Sequence, residues 1–200
     1  MHQGTQMRLS SLILTVLLIL SACQTNQGQK RQVSPNSLAL PPKSFICPKN
    51  DCRGYTIIRL KRKDGTTYEQ TNSYVYPVVQ SIGVTIFPGE EIFLKGTFVD
   101  NELTNITALD ISKKKDAVLS FKFEQINNGS MLLTTNNYGK YDIKYHLHMM
   151  PLDDDRMLKT SSCPVLSGMA TFESWPHPIY QLLINTFKIV EINDKAKCEY

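Results

Sequence analysis

The sequence predicts a mainly β domain, an antiparallel β-sandwich or small barrel that is stabilised by disulfides and follows a flexible N-terminal tether. Apolar and polar residues alternate with a period of two over most of the chain after residue 55, which is the pattern of strands with one buried face. Turn sequences rich in Gly and Asn separate these stretches at short intervals, as in sandwiches and barrels. No long segment has a convincing helical stripe.

Residues 1–22 have the features of a secretory signal peptide. Arg8 gives a positive start, and Leu12 to Leu20 are nine residues that are all apolar except Thr15. Small residues follow this apolar stretch, as they do before a cleavage site. The stretch is about half of the roughly 20 residues that a membrane-spanning helix needs. We therefore expect cleavage rather than a permanent membrane span.

The end of this signal has a more specific pattern. Leu20, Ser21, Ala22 and Cys23 follow one another, and this tetrad resembles the lipobox of bacterial lipoproteins. The resemblance implies cleavage before Cys23 and acylation of Cys23, for example with palmitate; two or three acyl chains anchor a protein stably. Gln24 is not the Asp that retains enterobacterial lipoproteins in the inner membrane, so it implies the outer membrane. An ordinary secretory signal cut after Ala22 is the alternative.

The domain organisation follows from this cleavage point. Residues 1–22 are the cleaved signal, and residues 23–44 are the lipidated Cys23 with a flexible tether. The tether is rich in Gln, Ser, Asn and Pro and has too few apolar residues to form a core. Residues 45–200 form a single β-rich domain.

The clearest predicted strand covers residues 141–149, where five apolar residues alternate with Lys, Asp and His. These apolar residues are Tyr141, Ile143, Tyr145, Leu147 and Met149. Further strands are expected at 55–60, 82–86, 92–98, 119–124 and 179–192.

Glycine-containing sequences mark the predicted turns. Lys63-Asp64-Gly65-Thr66 is a hairpin signal, because Gly tolerates the positive φ of tight turns. Further turns are expected at 88–89, 127–129 and 137–139. The best candidate for a helix is 101–115, although its β-branched residues make a short helix or an irregular crossover equally compatible with the pattern.

The cysteine count predicts two disulfides. Once Cys23 carries lipid, four cysteines are left in an oxidising compartment. We expect the pairs Cys47–Cys52 and Cys163–Cys198, with a crossed arrangement in which Cys47 or Cys52 bonds Cys198 as the alternative. A zinc site made of all four is the rival hypothesis, but structural zinc sites usually contain two closely spaced pairs.

The full chain carries a net charge of +4, too little to indicate a nucleic-acid partner.

Two sequence features are candidates for binding sites. His146 and His148 lie two residues apart, on one face of the predicted strand, and this spacing can contribute two ligands to a metal site. Trp175 and His177 lie in an unusual Trp-Pro-His-Pro sequence. Trp is enriched in binding hot spots, but its large area is also often buried in a core, so both interpretations stay open.

These features predict a membrane-anchored envelope lipoprotein with a non-catalytic binding or accessory domain. The chain lacks the phosphate-loop, Gly-x-Ser-x-Gly and His-Glu-x-x-His motifs, and we expect no catalytic residues and no cofactor. The expected partners are the membrane, through acyl chains on Cys23, and an envelope protein or glycan. The alternative is an envelope hydrolase or a metal-binding lipoprotein that uses His146 and His148 or His177.

Overall fold

The structure is a computed structural model that describes residues 52–72, 77–191 and 197–198. This part of the chain is mainly β and antiparallel, which confirms the predicted fold class. The predicted signal peptide, tether, Cys23 and Cys47 lie outside the described residues.

The described part contains twelve strands and two short 3₁₀ helices. The strands are β1 Thr56–Lys61, β2 Thr67–Asn72, β3 Val79–Gln80, β4 Gly83–Ile86, β5 Glu90–Val99, β6 Glu102–Leu109, β7 Leu119–Gln125, β8 Met131–Asn137, β9 Ile143–Pro151, β10 Leu158–Thr160, β11 Ala170–Trp175 and β12 Ile179–Ile189. The 3₁₀ helices are Ile111–Asp116 and Asn127–Gly129.

Most strands belong to one large antiparallel sheet. Its order is β10-β9-β12-β6-β5-β7-β8-β11, and β4 also pairs with β12 and carries β3 at its side. Strands β1 and β2 form a separate hairpin. No helix in the described ranges is long and apolar enough to cross a membrane.

The inner faces of the sheet meet in an aromatic core. The predicted alternation of β9 is confirmed, because Ile143, Tyr145 and Leu147 are all fully buried. The ring of Tyr145 packs edge-on against Phe121 of β7, with ring centroids 5.4 Å apart. Strands far apart in the sheet order therefore face each other, and the sheet encloses its own hydrophobic interior.

The two edge strands of this sheet, β10 and β11, are joined by side chains. We call this contact the edge junction and define it as Thr160, Cys163, Glu173 and Trp175. The indole Nε1 of Trp175 donates a hydrogen bond to Oγ1 of Thr160 at 2.8 Å. The backbone N–H of Cys163 donates to Oε1 of Glu173 at 2.7 Å.

A disulfide lies beside the edge junction. Cys163 bonds Cys198, with the two Cα atoms 4.1 Å apart, as the sequence predicted. This pairing excludes the crossed alternative and the four-cysteine zinc site. Cys52 is also disulfide-bonded, and the predicted pair Cys47–Cys52 involves a residue outside the described ranges.

A buried arginine fastens the start of the described chain to the sheet. The Arg53 side chain is only 5% exposed, and its Nε lies 2.5 Å from Oε1 of Glu90. The guanidinium also donates to Thr85 and to the carbonyl oxygen of Pro77. It lies over the ring of Phe87, 4.8 Å from the centroid. Because the buried charge has a carboxylate, several acceptors and a ring face as partners, its desolvation is compensated.

Some elements differ from the sequence-based expectation. The candidate helix at 101–115 is instead strand β6 followed by the 3₁₀ helix Ile111–Asp116. The 3₁₀ helix begins where the side chain of Asp110 accepts a hydrogen bond from the N–H of Ser112. The predicted strands do not include β2, β3, β8, β10 and β11. On β8 and β11, polar residues occupy inward positions and hide the alternation.

Replacing Arg53 with Met is expected to destabilise the domain by about 3–5 kcal/mol. It leaves the partly buried carboxylate of Glu90 without its cationic partner, with the N–H of Phe87 still donating to Oε2. Arg59→Met is the matched control, since it breaks the exposed pair with Glu69 and should cost less than about 1 kcal/mol. Urea unfolding monitored by tryptophan fluorescence measures both values. Similar losses in the two variants would contradict the assigned role of Arg53.

Candidate functional site

A large open groove lies between the β1–β2 hairpin and the connection from β7 to β8. Its volume is about 1340 Å³. The hairpin forms one wall, and residues 124–127 with Gly129 and Ser130 form the other. Pro88, Gly89 and Pro176 complete the lining. We refer to this feature as the hairpin groove.

The hairpin wall follows from the alternation of β1. Ile58 and Leu60 are buried in the core, whereas Ile57, Arg59 and Lys61 are exposed and line the groove. A stable turn supports this wall, because Oδ1 of Asp64 accepts hydrogen bonds from the backbone N–H and the hydroxyl of Thr66. These hydrogen bonds lower the pKa of Asp64 below its usual range.

The two walls are joined by one amide side chain. Oε1 of Gln125 accepts a hydrogen bond from the N–H of Lys61 at 2.7 Å, and its Nε2 donates to the carbonyl oxygen of Lys61 at 2.9 Å. The close approach continues at Gly129, where an added Cβ would lie 3.1 Å from the same carbonyl oxygen. The separation of the walls is therefore fixed at this end of the groove.

More cations than anions line the groove. Four of its lining side chains are cationic and only Glu124 is acidic. The cationic residues are Arg59, Lys61, Arg62 and Lys63.

Ion pairs position the two arginines of the hairpin wall. Arg59 pairs with Glu69 at 2.7 Å, and both side chains are more than half exposed. Arg62 pairs with Asp153 at 3.1 Å and lies over the ring of Tyr68. The contact with Asp153 ties the hairpin to the loop that follows β9.

The structure separates the two residues of the Trp-Pro-His-Pro sequence. Trp175 is only 5% exposed, and it packs edge-on against Phe123 at a centroid distance of 6.4 Å. Its indole is thus part of the core and the edge junction. His177 is half-buried, and burial followed by the charge of Lys63 lowers its pKa. Since Pro176 lines the hairpin groove, this segment reaches the groove through Pro176.

The predicted pair of metal ligands lies elsewhere. His146 and His148 are on β9, opposite Asn185 and Leu183 of β12. Burial, His146 and Lys159 lower the pKa of His148, in that order, and its Nδ1 is buried without a hydrogen-bond partner in the described part. No cluster of three His, Cys, Asp or Glu side chains suited to a metal occurs among the described residues. The structure therefore identifies no third ligand for this pair.

The edge junction contains a carboxyl group with unusual titration. Glu173 is buried at 6% exposure, and burial raises its pKa from 4.5 to about 7, against the opposing effect of the hydrogen bond from Cys163. Nearby Tyr145 also has a raised pKa, first through burial and then through the charge of Glu173. Its hydroxyl forms a 2.9 Å hydrogen bond with the hydroxyl of Thr135. These groups belong to the interior and not to the hairpin groove.

Comparison with protein-family models, curated proteins and solved structures finds no match to this chain. The site is therefore interpreted from its own residues. The sequence did contain a signal for the groove, the run Arg-Leu-Lys-Arg-Lys at 59–63 directly before a hairpin turn. The opposite wall had no such signal.

Replacing Glu173 with Gln is expected to remove a pH dependence of stability. The folded-state pKa of about 7 lies above the ordinary value of 4.5. The folded protein therefore holds a proton that the unfolded chain loses between these values, and the free energy of unfolding of the wild type falls as pH rises through this window. The side-chain oxygen of Gln still accepts the hydrogen bond from the N–H of Cys163, but Gln has no charge to bury. At pH 8 the free energy of unfolding of the variant should therefore exceed that of the wild type by about 2–3 kcal/mol.

Urea unfolding at pH 4.5 and pH 8 measures this difference. Glu102→Gln provides the control, because Glu102 is exposed and pairs with Lys188 on the surface; its effect should stay below about 1 kcal/mol at both values. If Glu173→Gln retained the full pH dependence of the wild type, another group would have to be responsible for it.

Proposed function

We propose that this protein is a lipid-anchored component of the bacterial cell envelope, in the outer membrane, and that its β domain binds an envelope partner through the hairpin groove. The groove is the observation that carries the proposal. It combines a volume of about 1340 Å³ with a predominance of cations, and concave sites with a few convergent polar groups are the usual form of a binding site.

The construction of the groove supports a binding role. Two hydrogen bonds between the Gln125 side chain and the Lys61 backbone hold the walls together, and the Arg62–Asp153 pair also contacts the hairpin. A site whose walls are already fixed loses little conformational freedom when a ligand binds, and this favours affinity.

The anchor is supported by the tetrad Leu20-Ser21-Ala22-Cys23. A lipidated N-terminus followed by about 20 residues of flexible tether would hold the domain roughly 25 Å from the membrane surface on average. A binding module confined in this way meets other envelope components at a raised effective concentration.

Cys23→Ser is expected to abolish membrane anchoring, because a serine side chain cannot form the thioether that carries the lipid. The measurement is incorporation of labelled palmitate, together with the fraction of protein in isolated outer membranes. Gln24→Asn is the control and should remain labelled. Palmitate labelling of the Cys23→Ser variant, or an unlabelled wild type, would refute the anchor.

A photo-cross-linking residue placed at Lys63 is expected to form an adduct with an envelope component in living cells, because this position lines the groove. The same residue at Lys113, which is exposed on the 3₁₀ helix Ile111–Asp116, is the matched control and should give no such adduct. Gel shifts followed by mass spectrometry and glycan staining measure both. Equal adducts at the two positions, or none at Lys63, would show that the groove is not the contact surface.

A further inference from the structure

We infer that the hairpin groove binds an acidic glycan, a chain of linked sugars with carboxylate or phosphate groups. This inference rests on the proposed function and specifies the ligand of the same site. Four cations and one carboxylate line the groove. Arg59 and Arg62 already pair with Glu69 and Asp153, so the excess positive charge comes mainly from Lys61 and Lys63, and an excess of positive charge in a concave site attracts anionic ligands.

The cations are arranged along a line. Arg59 and Lys61 alternate with buried residues on β1, which places them about 7 Å apart on one face. Lys63 continues the series into the turn. The exposed part of β1 from Ile57 to Lys61 spans about 13 Å, so the positive wall is suited to an extended ligand with repeated acidic groups.

The opposite wall provides groups that complement sugars. Asn127 and Ser130 line it together with the exposed side chain of Ile126. Amides and hydroxyls both donate and accept hydrogen bonds, as the hydroxyl groups of a sugar require. Ile126 on this wall and Ile57 on the hairpin provide apolar surface for the C–H faces of the rings.

An acidic peptide fits this groove less well. A peptide that binds in an extended form commonly adds a strand to an exposed strand edge. Both backbone hydrogen-bonding groups of Lys61 are already occupied by Gln125, so the end of β1 closest to the basic turn is closed to an added strand. A glycan needs no backbone ladder and can use the side chains of both walls.

The test measures binding of the full-length lipidated protein in detergent to four immobilised probes. Oligogalacturonate supplies carboxylates and phosphomannan supplies phosphates, which distinguishes the two sources of negative charge. Dextran is the neutral glycan, and poly-glutamate of matched length is the acidic peptide. We expect binding to at least one acidic glycan that is weakened by salt, because salt screens exposed charges, and little binding to dextran.

Two charge-reversal variants distinguish binding in the hairpin groove from nonspecific attraction to positive charge elsewhere on the protein. Lys61→Glu/Lys63→Glu is expected to weaken binding of the acidic glycan about tenfold or more. Lys113→Glu/Lys114→Glu makes the same change of charge on the exposed 3₁₀ helix and should weaken it less than about threefold. Circular dichroism and thermal unfolding verify that both variants fold, as expected for exposed side chains.

Asn127→Ala tests the sugar-recognising wall. It should weaken binding of the glycan about two- to tenfold, the effect of one hydrogen bond, and leave binding of poly-glutamate unchanged. Equal losses in the two charge variants, or tighter binding of poly-glutamate than of either acidic glycan, would overturn the inference. If no acidic glycan bound while the cross-link at Lys63 persisted, the ligand class would be wrong and the groove would remain a contact surface.

Discussion

Closure of the curved sheet around its core includes contacts between its edge strands, β10 and β11, and side chains make these contacts in the described part. Trp175 reaches Thr160, and Glu173 accepts the N–H of Cys163. The disulfide from Cys163 to Cys198 then fastens the C-terminal end of the chain at the same place. Buried polar groups such as Glu173 are costly unless they are hydrogen-bonded. The edge junction therefore contains a buried carboxyl group whose ionisation is unfavourable, although the same junction helps to close the core.

The hairpin groove depends on this closure indirectly. The hairpin reaches the core with Ile58 and Leu60, and the opposite wall is the end of the β7–β8 pair. The hairpin and the β7–β8 pair both pack on the enclosed core. The charged residues that line the groove are therefore not needed to stabilise the fold. Exposed pairs such as Arg59–Glu69 contribute little to stability, so the charged residues of the hairpin can change without loss of the fold.

Sequence periodicity predicted the parts of the fold in which burial and apolar character coincide. Strand β9 is the best example, because Ile143, Tyr145 and Leu147 all point inward. It failed on β8, where Thr135 and Asn137 are buried and form hydrogen bonds to Tyr145 and Val165, which lie 10 and 28 residues away in the sequence. The basic run at 59–63 was visible in the sequence, but the opposite wall depends on Gln125, which contacts Lys61 from 64 residues away.

The structure separates two kinds of electrostatic response. The buried carboxyl of Glu173 responds to pH, since burial raises its pKa to about 7, and its ionisation acts on the closure of the core. The cations that line the hairpin groove attract a ligand through charge near the surface, so ionic strength acts on them by screening. Because the two sets of groups are in different places, acidity would affect stability and salt would affect ligand binding, each without requiring a change in the other.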